Sequence, residues 1–353
     1  MRSFLALRER WDEIYDADGR ANVFLSWAWI DACMQTSGRP WTVLAARLSP
    51  ADPYLAFLPL ACERFPLAGP ALAQDLCLAG IPRADYTGLI AAPSAPEDAV
   101  LAAFAAELEA MRWDNFRLND ALDERVGKLA RYFAPERFEA RLGGQTLCPF
   151  ITLPDRWETY LESVSEKTRA KLVKKTRQLA ALPGYRFERA DERGIDDAIE
   201  TLLRLNRRRW RKNLGKGRRT FAGLFRHCFE SGVYAVFSIF DGTVPVASQG
   251  FFIDHKRRAF CAYMVGFNGD YASFSPGTVL HGLTIRYAIE HGFAEYDLLR
   301  GNEPFKSRFA SRVRTTNHLT LTRRGMRSNV VNAGRSGVYA AKALARRIIG
   351  RTA

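Results

Sequence analysis

Between Val233 and Gly301 three strand-like runs are followed by a helix and one more strand, and this order restricts the chain more than any other feature. "YAVFSIFDGTVPVASQGFFIDHKRRAFCAYMVGF" reads as a β-meander, with Asp241-Gly242 as its first hairpin because both residues tolerate positive φ. "SPGTVLHGLTIRYAIEHG" then opens a helix, and "FAEYDLLRG" returns as a strand ending in Asp297. The start of that helix is poor in side chains. Pro276 suits a first helical turn, Gly277 lacks the Cβ that would keep a ligand off the backbone, and Thr278 can cap or bond an anion. Unpaired N–H groups and partial positive charge make such a start a phosphate site. Pro-Gly also marks an ordinary turn, so the rest of the chain has to decide.

At 353 residues the chain exceeds one comfortable core, which predicts two domains. With 47% hydrophobic and 12% aromatic residues it should pack rather than stay disordered. No run is long and apolar enough to span a bilayer, and "MRSFLALRERWDEIYD" has neither the apolar core nor the cleavage site of a secretory signal. The expected compartment is therefore the cytoplasm. Six scattered cysteines without a CxxC pair and five histidines without HExxH spacing offer no metal site and no disulfide framework. The cysteines read as small core residues.

The first half alternates apolar runs with turns. "WTVLAARL" and "YLAFLPLACER" pair around "SPADP", and "APEDAVLAAFAAELEAMRW" forms an amphipathic helix with Leu101, Phe104, Leu108 and Met111 on one stripe. "DNFRLND" follows as a strand, so this half is α/β or α+β. Near Cys148 the register changes. Ser165 opens a helix that carries Lys167, Arg169, Lys171, Lys174, Lys175 and Arg177 around Leu172, Val173 and Leu179. That basic helix is either a solvated face or a grip on an anionic carrier or lipid surface. It lacks the aromatics that single-stranded nucleic acid stacks on. After it, "IDDAIETLLRLNRRRWRKN" places Ile195, Ala198, Leu202 and Leu205 on a buried side.

The charge of +14 is uneven. No acid follows Glu303, while twelve Lys and Arg residues do, so a near-neutral body carries a basic tail. Within Gly334–Arg351 the apolar residues fall on one side and Arg335, Lys342, Arg346 and Arg347 largely on the other. The segment reads either as a helix docked on the second domain or as a contact with anionic membrane lipid.

Read in order, "FLSWAWIDA", "ADYTGL", "CPFITLPDRWETYLESVSEKTRAKLVKKTRQL", "GTVPVASQGFF", "SPGTVLHGLTIRYAIEHG" and "YDLLRGNEPFKSRF" resemble the GNAT acyltransferase superfamily. More narrowly they resemble its CelD/FemAB-like branch of bacterial envelope acyltransferases. The Gly-rich phosphate signature of GNAT proteins is missing, and Ser-Pro-Gly stands in its place, as in this branch. The resemblance implies an α+β (α/β) chain of two tandem GNAT-like modules. Each would be a mixed, mostly antiparallel sheet flanked by helices, followed by a basic C-terminal helix. The expected boundaries are 1–148 for an acceptor-side module, 149–325 for a donor and catalytic module, and 326–353 for the basic tail.

The resemblance further implies transfer of an acyl or aminoacyl group to an amine. Acyl-CoA, acetyl or longer, is the expected donor, with no metal. The acceptor would be an amino-sugar glycan of the envelope, its lipid-linked precursor, or an amine-bearing lipid such as a sphingoid base. A nucleotide-responsive binding protein with a decayed site is the rival of a different class. The tRNA-using relatives carry a long helical arm that this sequence lacks, so nucleic acid is not expected. Pro276, Gly277 and Thr278 would hold the donor pyrophosphate, and backbone N–H groups along Tyr263–Phe267 would face the thioester carbonyl. Lys306, in "EPFKSRF", would stabilise charge at the tetrahedral intermediate or touch donor phosphate, or else is a surface lysine. Asp297 would orient or deprotonate the amine, or fix the turn after it. Glu303 is a base or a partner of Lys306, and Tyr263 a donor to the leaving thiolate or a core aromatic. Asp85, Tyr86 and Gln249 are the acceptor-side candidates. His281 reads as a packed residue.

Overall fold

In the computed structural model the described residues are 2–66, 72–210 and 217–335. In chain order they begin with helices α1 (Arg2–Leu5), α2 (Arg8–Ala17) and α3 (Trp27–Ser37) and strands β1 (Trp41–Ala46), β2 (Ala56–Pro66), β3 (Leu72–Leu78) and β4 (Ile90–Ala91). Helix α4 (Glu97–Ala110), β5 (Asn115–Ala121), α5 (Glu124–Leu129) and the long β6 (Phe138–Thr152) follow. Next come α6 (Trp157–Ser163), α7 (Glu166–Ala180), β7 (Tyr185–Arg189), α8 (Ile195–Trp210) and α9 (Gly217–Glu230). The meander β8 (Tyr234–Asp241), β9 (Val244–Asp254) and β10 (Ala259–Phe267) leads to α10 (Pro276–Glu290), β11 (Glu295–Asp297) and β12 (Arg312–Arg323). Residues 326–335 are helical.

Two compact units result. The first comprises Met1–Ala21, Gly38–Gln145 and the chain from Thr316 on; the second comprises Asn22–Ser37 and Thr146–Thr315. These differ from the expected 1–148 and 149–325 in two exchanges, because Asn22–Ser37 joins the second unit and the chain from Thr316 returns to the first.

In the first unit the strands run β1-β2-β3-β5-β12, with β3 and β5 parallel and the other neighbours antiparallel. Helix α4 lies between the parallel strands in sequence and buries Leu101, Phe104 and Leu108 against Leu58, Leu60, Leu76 and Phe116. Beside this core sits a buried ion cluster. Arg125 donates from Nε to Asp123 at 2.7 Å and from Nη2 to Asp18 at 2.7 Å. The chain beyond β12 is tied down by acids from much earlier in the sequence. Arg327 meets Asp114 at 3.1 Å, and Arg335 forks onto both oxygens of Asp75 at 2.8 and 2.7 Å. Arg323 lies over Trp113 and donates to the carbonyls of Glu109 and Met111. Arg335, expected on the outward face of the tail, is therefore an internal cation of the first unit. The remaining tail residues, 336–353, lie outside the described residues.

In the second unit the order is β6-β11-β10-β9-β8-β7, again with one parallel pair, β10 with β11. Helix α10 connects that pair and buries Val279, Leu280, Ile285 and Ala288. Helix α7 packs on α10 where Gly282 allows it, since a Cβ there would lie 2.4 Å from Leu172 Cδ1. All six cysteines are buried. Asn22–Ser37 docks through Trp29, whose ring meets Phe252 at 4.7 Å, and through Val23 N–H, which donates to Asp254 at 2.8 Å. No helix among the described residues is long and apolar enough to cross a membrane.

Asp254 also accepts from Arg257 N–H, and burial nevertheless pushes its carboxyl above the ordinary 3.8. An acid whose pKa rises on folding removes stability as pH climbs from its unfolded value through its folded one. Asp254→Ala leaves Val23 N–H without its acceptor and is expected to cost about 1–3 kcal/mol in urea unfolding, with faster hydrogen exchange across 22–37. Asp254→Asn keeps an acceptor, should cost less, and should flatten the decline in stability above pH 3.8.

Candidate active site

The pairing of β10 with β11 covers only Ala259–Glu295, Phe260–Tyr296 and Cys261–Asp297. Beyond it β10 runs on to Phe267, while β11 ends. The two strands part there for a local reason. Asp297, buried, accepts Leu299 N–H at 2.7 Å, and Leu299 takes a left-handed φ of 59°, which turns the chain out of the sheet. On β10 the register with β9 shifts between Ala262 and Met264, making Tyr263 the extra residue of a bulge. Asn206 of α8 donates to the carbonyl of Val265 at 2.9 Å and so holds the free end of β10.

Helix α10 begins beside this gap. Ser275 is left-handed at φ 53°, makes no side-chain cap, and is followed by Pro276 at the first helical turn. No acid lies in that turn. A pocket of about 220 Å³ opens on it, lined by Phe267, Pro276, Gly277, Thr278, His281 and Phe305 among others. A Cβ at Gly277 would meet only Phe267 Cδ1, at 3.6 Å, so the backbone is open on that side. Lys175 of α7 donates to the carbonyl of Ser273 at 2.7 Å, bringing a cation to the approach of the helix.

His281 is the one ionisable residue among those lining the pocket. Its Nδ1 lies 2.9 Å from Tyr296 Oη and 3.3 Å from Gln249 Nε2, and Thr284 Oγ1 lies 3.0 Å from the same Tyr296 hydroxyl. The Tyr296 hydroxyl and the Gln249 amide thus gather at Nδ1 of the ring, whose Nε2 is also buried. Burial raises the Tyr296 hydroxyl well above its usual range, so it remains a protonated donor.

The expected residues separate accordingly. Pro276, Gly277 and Thr278 come together at the pocket, and Gln249 reaches it through His281. Asp297 is engaged in the turn. Lys306 is 6% exposed and points its ammonium at the carbonyls of Arg300 (2.6 Å) and Leu299 (3.3 Å), with Glu303 at 3.0 Å. These contacts close the loop that carries Phe305 and Phe309, whose rings flank His281 at 5.3 and 5.5 Å. Lys306 thus shapes the pocket wall. Tyr263 does not line the pocket; its ring packs on Phe252, Phe225 and Trp29. Asp85 and Tyr86 are buried in the first unit. Sequence reasoning passed over the His281–Tyr296–Thr284 network and Asn206. The available signals were a histidine and a threonine on the buried stripe of α10, and an asparagine next to the apolar stripe of α8.

Residues 166–307 match the acetyltransferase (GNAT) domain family, and no curated protein matches the chain in sequence. Over these residues the chain carries a GNAT-type domain, which makes it an acyltransferase. Its fold is similar to that of FemX, with 11% identity, 88% of this chain and 95% of that one covered, and a TM-score of 0.60. It is also similar to a conserved protein of unknown function from Bacteroides thetaiotaomicron (12% identity, 91% and 97% covered, TM-score 0.57). L-PGS from Bacillus licheniformis shares the fold as well (10%, 97% and 96%, 0.54).

Replacing Lys306 tests its place in the wall. Lys306→Met strands two loop carbonyls and should lower stability by about 1–3 kcal/mol in urea unfolding, with hydrogen exchange rising over 298–309.

Proposed function

We propose that the chain transfers an acyl group from acyl-CoA to an amine of an envelope polysaccharide or its lipid-linked precursor. The observation that carries this reading is the uncharged start of α10 opening onto the gap between β10 and β11. An anion is favoured at that helix start, and a thioester laid along the unpaired edge of β10 can meet backbone N–H groups. The amine attacks the carbonyl, a C–N bond forms and the C–S bond breaks. The proton lost by the amine passes to the leaving thiolate. Tyr296 and Gln249 hold the His281 ring in place as part of the pocket wall. Lys306 keeps the loop closed with its charge close to the wall. A further fold neighbour, from Agrobacterium fabrum, bears the name of a putative lysylphosphatidylglycerol synthetase, which supports a lipid-borne acceptor on this fold.

The Cβ of Gly277→Val would meet only an ordinary contact with Phe267, and the branched side chain would stand where the pyrophosphate would approach. Calorimetry with acetyl-CoA and a long-chain acyl-CoA should show affinity falling by about tenfold or more, roughly 1.4 kcal/mol. Unchanged binding would sink the donor assignment. For the acceptor, mass spectrometry of glycan and lipid pools with and without the gene should show an N-acyl group missing from an amino-sugar glycan or its lipid-linked precursor.

A further inference from the structure

Five of the six cations of helix α7 stand without partners among the described residues. Lys167, Arg169, Lys171, Lys174 and Arg177 are exposed, and none of their side chains makes an ion pair or hydrogen bond among the described residues. Several helical cations elsewhere are matched along their own helix: Arg10 with Glu13, Lys128 with Glu124, Arg226 with Glu230, Arg286 with Glu290. Glu166, in the first turn, is the only acid of α7.

Lys167, Lys171, Lys174 and Arg177 follow one another at intervals of four, three and three residues, so they form a stripe along one side of the helix. At about 1.5 Å per residue the stripe is about 15 Å long. Like charges at these spacings repel and weaken the helix. The helix is nevertheless fixed, with Leu172 and Leu179 buried and Lys175 bonded to Ser273, so the stripe is held outward. Val173, 52% exposed, lies beside it.

We infer that this stripe of α7 docks the protein on an anionic lipid surface. The length of the stripe suits an extended anionic surface better than a single phosphate group. Three of its four cations are lysines, strongly hydrated point charges that answer a diffuse potential rather than a planar fork. Aromatic residues for stacking bases are absent from α7. The described part of the basic tail offers less, because Arg323, Arg327 and Arg335 are engaged within the first unit. The inference stands apart from the transfer chemistry, and the stripe contains none of the residues placed at the pocket.

Flotation of the full chain with vesicles of phosphatidylcholine, with and without 30 mol% (about a third) phosphatidylglycerol, tests it at low and high salt. Each cation near such a surface contributes about fivefold, so K167Q/K171Q/K174Q/R177Q should lower partitioning onto the anionic vesicles by roughly a hundredfold or more. Binding should weaken with salt and be slight on pure phosphatidylcholine. A control with the same charge change at paired cations, R156Q/R186Q/R226Q/R286Q, should change partitioning far less. Acylation of a water-soluble amine should be unaltered in the stripe variant, which separates failure of docking from failure of the enzyme reading. Equal loss in both variants, or undiminished flotation of the stripe variant, overturns the inference. The latter holds even if that variant loses its use of an acidic carrier protein as donor.

Discussion

Everything at the candidate site depends on a parallel strand pair that stops after three residues. Had β11 followed β10 to Phe267, the backbone groups facing the pocket would be spent on a ladder. Asp297 prevents this by accepting Leu299 N–H, which stabilises a left-handed leucine and turns the chain away. A leucine in that conformation costs on the order of 1 kcal/mol or more. The contacts of Lys306 with the carbonyls of Leu299 and Arg300 offset it and close the same loop. Asp297 and Lys306 are thus two ends of one constraint, and their first consequence is the shape of the pocket.

The parts legible in the sequence are those set by local signals. Asp241-Gly242 marks the β8–β9 hairpin, the Leu101–Phe104–Leu108 stripe marks α4, and Ser-Pro-Gly-Thr marks the start of α10. What escaped is non-local. Val23 N–H meets Asp254 from 231 residues away, and nothing near Val23 announces that its segment belongs to the second unit. The Arg335–Asp75 pair spans 260 residues. Summing charge by segment therefore described a near-neutral body with a basic tail, when part of that tail neutralises buried acids of the first unit. The histidine network escaped for the related reason that Gln249, His281 and Tyr296 sit on three different elements.

The two units repeat one arrangement, strand, helix, parallel strand: β3–α4–β5 in the first and β10–α10–β11 in the second. The starts of the connecting helices differ in charge. Helix α4 opens with Glu97 and Asp98, and Glu97 is further pinned by Arg20 at 2.8 Å and Lys128 at 2.7 Å, which lower its pKa. The positive end of that helix already has its anions. Helix α10 opens with Pro, Gly, Thr and Val, which supply no charge. Of the two helices, the second leaves the partial charge of its start, with the N–H of Gly277, unmatched by any acid in its first turn. The same supersecondary unit is thereby a closed structural element in one half and an anion-receptive one in the other. That difference, written in two residues at a helix start, is the physical reason for proposing the donor site in the second unit.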